Sequence, residues 1–235
     1  KGYDGTKVII QQTNMSQHKH IQQKLANLRQ HLVLLLQQTD DLDSSGSTTL
    51  QSVIKRLDTP GDVKNQASQA NPLADLLPQI KQANATLPLM CQNMVNNVIE
   101  LADDLPWYQR PVANNQRFMA SHVNAQIIGP EGLEVRQDLI VGVTLMRPNI
   151  DYPDHHHEPE ELYLVLSDGR WRQDNGDWHT PGLGGLVHNS SDLMHGMKSV
   201  NTPLFAIWCL PLDKPFTPFS APINDVIGSD PTHRD

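Results

Sequence analysis

The chain has little cysteine, no strongly basic segment and no long apolar run, and each shortage removes a class of protein. Two cysteines in 235 residues, Cys91 and Cys209, lie far apart on segments of different character. One bridge is arithmetically open, but no disulfide framework is indicated, and two buried thiols in a reducing, cytoplasmic compartment are expected. The first residue is Lys1 rather than Met, which fits a trimmed start and leaves a removed export signal, and so a periplasmic location, open. Lys and Arg number 18 against 26 Asp and Glu, a net charge of -8. Nucleic acid needs a phosphate-neutralising surface, so it is excluded as a partner. The longest apolar run, Leu32–Leu36, falls far short of the roughly 18–20 residues that cross a bilayer, so no membrane span is expected.

What is present divides into two kinds of pattern. Residues 1–106 read as a helical region. After Ser16, a candidate N-cap, Ile21, Leu25, Leu28, Leu32 and Leu35 recur at the spacing of one helix face. The loop "TDDLDSSGST" ends this helix and "LQSVIKRL" starts a shorter one. "GDVKNQASQANP" reads as a polar surface connection, "LADLLPQIKQAN" as a helix interrupted by Pro78, and "LMCQNMVNNVIELADDL" as a fourth helical stretch. Residues 107–235 read instead as short β-rich runs with Gly, Pro, Asn and Asp between them: "RFMASHVNAQIIG", "LEVRQDLIVGVTLM", "ELYLVLSDGRWRQ", "GDWHTPG" and "PLFAIWCLPL". That spacing predicts a β-sandwich or small barrel with the helical region packed on it or on a second subunit, as in a homodimer. The segment after Pro215 is polar and Pro-rich, and is expected to be a covering loop or partly disordered.

The chemistry concentrates in "DYPDHHHEPEELYLVLSDGRW", Asp151 to Trp171. Side chains alternate faces along a strand, so His155, His157, Glu161 and Tyr163 share one parity, and His156 has the other. Imidazole and carboxylate together are ligands for Zn²⁺, Fe²⁺ or Mn²⁺. A solvated acidic loop is the plain alternative. Against it stand the apolar strand that follows and the later histidines of "GGLVHNSSDLMHGMKS". A further ligand is expected from a second strand, with His188 and His195 as candidates and His179 and His122 further off.

His155-x-His157-x₃-Glu161 with Gly169 resembles the first motif of the cupin superfamily, and "GDWHTPGLGGLVHNSSDLMH" is similar to a lengthened second motif. The upstream glycine of the usual first motif is absent. With Tyr152 and Tyr163 the pattern becomes Y-x₂-H-x-H-x₃-E-x-Y, which resembles the bacterial cupin-type dimethylsulfoniopropionate (DMSP) lyases over roughly Asp151 to Leu210. The resemblance implies an α+β fold, a C-terminal cupin β-barrel (double-stranded β-helix, jelly-roll type) carrying an N-terminal helical region. It implies one divalent metal ion (Zn²⁺, Fe²⁺ or Mn²⁺) on His157, Glu161 and His195, with His155 a fourth ligand or a close neighbour. It further implies Tyr163 as general base, Tyr152 as a positioning or second acid/base group, and DMSP as substrate. Trp171, Trp178 and Trp208 are candidates to face the sulfonium, with Trp208 most like core. His188 is expected to hold its Gly-rich loop, His122 and His179 to be surface or supporting residues, and His18, His20 and His31 to be solvated helix positions. The rival readings are another metal-dependent cupin enzyme, an Fe²⁺ dioxygenase or an isomerase, and a non-catalytic small-molecule-binding cupin.

Overall fold

The computed structural model describes residues 5–38, 42–64 and 69–216, with side chains from Met15 onward. The tail expected to be a covering loop lies outside the described residues beyond Phe216. Helices come first: α1 (Gly5–Leu36), α2 (Ser44–Leu57), a short strand β1 (Asp62–Val63), a 3₁₀ turn (Ala74–Leu76), α3 (Leu77–Asn84) and α4 (Leu89–Leu101). Then follow β2 (Trp107–Tyr108), the single turn α5 (Gln116–Met119), β3 (His122–Gly129), β4 (Glu134–Val135), β5 (Leu139–Met146) and β6 (Asp151–His155). The chain continues through β7 (Glu161–Val165), β8 (Gly169–Gln173), β9 (Leu186–Asn189), β10 (His195–Ser199) and β11 (Leu204–Pro211). No described helix is long and apolar enough to cross a membrane.

Three helical expectations shift. Ser16 lies inside α1 rather than at its cap, because the helix already runs from Gly5. Of the loop expected to precede "LQSVIKRL", residues 44–48 are already helix. The Asp43 side chain accepts from Gly46 N–H at 2.7 Å and starts α2 at Ser44. Pro78 starts α3 rather than interrupting it, occupying the first turn, where its missing N–H has no helical partner to lose. The run "GDWHTPG" forms no named strand; only His179 bridges to Trp171.

The fold is α+β in three layers. An eight-stranded sheet of order β1-β4-β3-β5-β11-β7-β9, with β2 paired to β3, stands between the helices and a three-stranded sheet of order β6-β10-β8. Alternation along its central strands explains the layering. Val123, Ala125, Val141, Val143, Leu162, Leu164, Phe205 and Ile207 join one core with Leu25, Leu28 and Leu32 of α1 and Val95 and Val98 of α4. The opposite parity, including Ile140, Met146, Tyr163, Val165, Ala206 and Trp208, packs on Tyr152, Trp171 and Met197 of the small sheet. Strands buried on both faces therefore read as nearly continuous apolar runs. On β3 the inward positions His122, Asn124 and Gln126 are polar and still buried, which marks the wall of a site rather than a solvent face.

Candidate metal centre and active site

The histidine stretch spans two sheets. His155 is the last residue of β6 in the small sheet, where it pairs with His195 at the start of β10. His157 lies in the following turn, and Glu161 opens β7 in the large sheet. A single strand parity carried across Pro159 is thus the wrong reason for their convergence: the chain changes sheets there. They converge nonetheless, because both sheets turn these residues toward the space between them. The ligand atoms of His155, His157 and His195 all lie within 4.8 Å of one another. His195 Nε2 is 3.2 Å and His157 Nε2 3.6 Å from Glu161 Oε2. All four residues are buried.

Local backbone fixes the chemistry of these rings. Nδ1 of His155, His157 and His195 lies 2.9, 2.8 and 2.8 Å from the carbonyls of Pro153, Pro159 and Leu193. A carbonyl only accepts, so each Nδ1 carries the proton and, in the neutral ring, each Nε2 turns a lone pair inward. Burial and the neighbouring His195 hold the His155 pKa well below the usual range, keeping that ring neutral. Lone pairs crowded against a carboxylate repel unless a cation lies among them, so this donor set fits a divalent metal ion. On the opposite side Asn189 Nδ2 donates to Glu161 Oε2 at 3.1 Å, and Gln173 Nε2 donates to Asn189 Oδ1 at 2.9 Å.

An inner cavity of about 20 Å³ adjoins the histidines and is lined by Tyr108, Arg110, Tyr152, His155, Glu161 and Tyr163, among others. Burial, reinforced by the Glu161 charge, raises the Tyr163 hydroxyl well above its ordinary range. Burial also raises Tyr152, while Arg110 and Asn124 pull it back. A directed chain of donors ends on Tyr152. Trp208 Nε1 donates to Thr144 Oγ1 at 3.1 Å, the Thr144 hydroxyl to Asn124 Oδ1 at 2.5 Å, and Asn124 Nδ2 to Tyr152 Oη at 3.4 Å. A larger cavity of about 380 Å³ is lined by Thr49, Glu158, Glu160, Lys214 and Phe216. The Phe216 ring lies 6.3 Å from that of His157.

The other candidates separate cleanly. His156 is exposed and faces Asp192 at 3.6 Å. His188 turns away from the three imidazoles toward α2, with Thr49 Oγ1 at 3.4 Å and Glu160 Oε2 at 3.6 Å. His179 is exposed. His122, expected to be a surface or supporting residue, is fully buried behind the site and stacks on Phe118 at 3.6 Å. His31, expected in solvent, meets Asn97 of α4 at 2.7 Å. Trp171 is core, Trp178 lies under Arg172 and Lys198 at 4.6 and 4.3 Å, and Trp208 lines the inner cavity. Tyr108, Arg110, Asn124, Thr144 and Asn189 were not foreseen. Asn124 and Thr144 are polar residues inside otherwise apolar strands, a sign the sequence does carry.

The sequence model of the dimethylsulfoniopropionate lyases matches residues 45–206, a span that holds His155, His157, Glu161, His195, Tyr152 and Tyr163. The chain belongs to that family. A Cereibacter sphaeroides protein named as a dimethylsulfoniopropionate lyase, DddL, is 28% identical over 137 residues, 54% of this chain and 58% of the relative. The chain thus spans little more than half of that relative. Among solved structures, a chain from the crystal structures of DMSP lyases RdDddP and RnDddQII aligns with a TM-score of 0.63 at 17% identity, covering 83% of this chain and 95% of its own. DMSP lyase DddQ from Ruegeria pomeroyi DSS-3 aligns with a TM-score of 0.51 at 20% identity, covering 66% and 77%. At these identities the likeness to solved structures is one of fold. In this chain Tyr152, His155, Glu161 and Tyr163 of the Y-x₂-H-x-H-x₃-E-x-Y pattern line one cavity, and His157 and His195 lie beside Glu161.

Proposed function

We propose that this protein is a DMSP lyase that splits its substrate into dimethyl sulfide and acrylate by β-elimination. The observation that carries the reading is the convergence of His155, His157, His195 and Glu161 beside a buried Tyr163, in a chain of the DMSP lyase family. A divalent ion held by those four residues would supply Lewis-acid stabilisation of the substrate carboxylate and positive charge that favours the Tyr163 phenolate. The Tyr163 oxygen removes the proton on the carbon next to the carboxylate. The electrons of that C–H bond form the C=C bond of acrylate, and the C–S pair leaves on sulfur as neutral dimethyl sulfide. The sulfonium needs no protonation, so a single base suffices. Tyr152, held by Asn124, positions the substrate, and the proton taken by Tyr163 passes to water once the products leave. The inner cavity is smaller than DMSP, so binding must move side chains that line it.

Purified protein incubated with DMSP is expected to release dimethyl sulfide into the headspace when supplied with Zn²⁺, Fe²⁺ or Mn²⁺. Tyr163→Phe is expected to lower kcat by about 10²-fold or more, the usual loss for a general base, with metal content unchanged. Wild-type turnover of DMSP in Tyr163→Phe would remove the tyrosine base. A dioxygenase has no need of that hydroxyl, so the same variant separates the two chemistries.

A further inference from the structure

The inner cavity carries a permanent positive charge from a residue far from the histidine motif. Arg110 stands two residues past Tyr108, just beyond the end of β2, and both line the cavity with Tyr152, His155, Glu161 and Tyr163. Arg110 is 8% exposed. Its charge opposes the rise that burial causes at the Tyr152, Tyr108 and Tyr163 hydroxyls and helps to keep His155 neutral. The backbone beneath it is pinned. Arg110 N–H donates to His122 Nε2 at 2.9 Å, and His122 Nδ1–H donates to the Phe118 carbonyl at 2.7 Å. The backbone that carries the guanidinium is therefore held by a buried imidazole.

A guanidinium stays charged at any pH a protein meets, and its planar fork matches a carboxylate. Placed beside a sulfonium it would repel the substrate. Placed against the other end of the same molecule, it attracts an anion whose charge grows as the proton leaves. We propose that Arg110 reads the substrate carboxylate, fixing the anionic end of the substrate on the Tyr152 side of the cavity and turning the sulfonium end away. The lyase reading supplies the identity of the substrate; the role of Arg110 requires only that it be a small carboxylate.

Two unreactive probes test this, propionate and propionamide, which differ in charge and little in shape. Calorimetric titration of the metal-loaded full chain is expected to show propionate binding at least tenfold tighter than propionamide. Arg110→Gln should weaken propionate tenfold or more and leave propionamide within twofold, and Arg110→Lys should recover part of the loss. Equal affinity of the wild type for the two probes overturns the proposal. So does an Arg110→Gln protein, folded by melting and with its metal retained, that binds propionate as wild type does. Should Arg110→Gln not fold, the metal-stripped wild type decides: propionate must still bind more tightly than propionamide, and equal affinities overturn the role. Failure of the lyase reading looks different, as no dimethyl sulfide from DMSP while propionate recognition and its loss in Arg110→Gln persist. Turnover of DMSP with kcat/KM of Arg110→Gln within twofold of wild type keeps the lyase and removes Arg110 from it.

Discussion

His122 is buried between Phe118 and Tyr152, whose rings lie 3.6 and 5.7 Å from its own. Burial, with a smaller contribution from the Arg110 charge, lowers its pKa from 6.5 to about 4. Between those values the unfolded chain binds a proton that the folded chain refuses, so stability falls as pH drops from 6.5 toward 4. At about 1.4 kcal/mol per pKa unit the full loss is roughly 3 kcal/mol. Denaturant unfolding of His122→Gln is expected to show lower stability than wild type at pH 7.5 and a shallower decline toward pH 4; an unchanged decline would remove His122 as its source. Little of this residue's role was readable beforehand. A lone histidine in "ASHVNAQ" does not say which side of a strand faces a cavity, and its partners, Arg110 and Phe118, come from a loop and a single helical turn. The His155-x-His157-x₃-Glu161 motif was readable because its residues are close in sequence and chemically unusual together.

Glu161 is held by Asn189 of β9, which is itself held by Gln173 of β8. Such supporting hydrogen bonds fix the direction of a ligand, and their loss usually weakens metal binding about 10–100-fold. Asn189→Leu is expected to fall in that range in a competition titration with a fluorescent chelator, with melting in the metal-free state nearly unchanged. Wild-type metal affinity in that variant would show that Glu161 needs no such support. At this scale the helices were legible from their periodicity, and the long central strands from their apolar runs. Two things were not. The Pro159 region looks like one strand with a bend, yet β6 and β7 belong to different sheets, a long-range fact absent from local pattern. The glycine at 142 also looks incidental, although a Cβ there would come within 2.1 Å of the Trp208 ring, so the indole lies directly over the β5 backbone.

Helices, large sheet and small sheet form two cores that share the large sheet, and the proposed ligands come from the small sheet, the large sheet and the turn between them. A bound ion would tie the two sheets together and add stability to the folded state alone. At a free concentration about 1,000 times Kd that is about 4 kcal/mol. Chelation should lower the melting temperature and re-addition of Zn²⁺ or Mn²⁺ restore it, whereas an unchanged melting curve would mean that no ion is held here.

The pairing of His155 with His195 across β6 and β10 carries one further consequence, for time rather than equilibrium. Thirty-nine residues, including β7, β8 and β9, separate the two histidines, so an ion would have no complete set of donors until these strands have found their places. Contacts of such long sequence separation form late. Metal should therefore leave the refolding rate nearly untouched and slow unfolding, acting as a lock that closes only after assembly. Stopped-flow measurements in both directions, with and without the ion, would show one limb of the chevron moving while the other stays where it was.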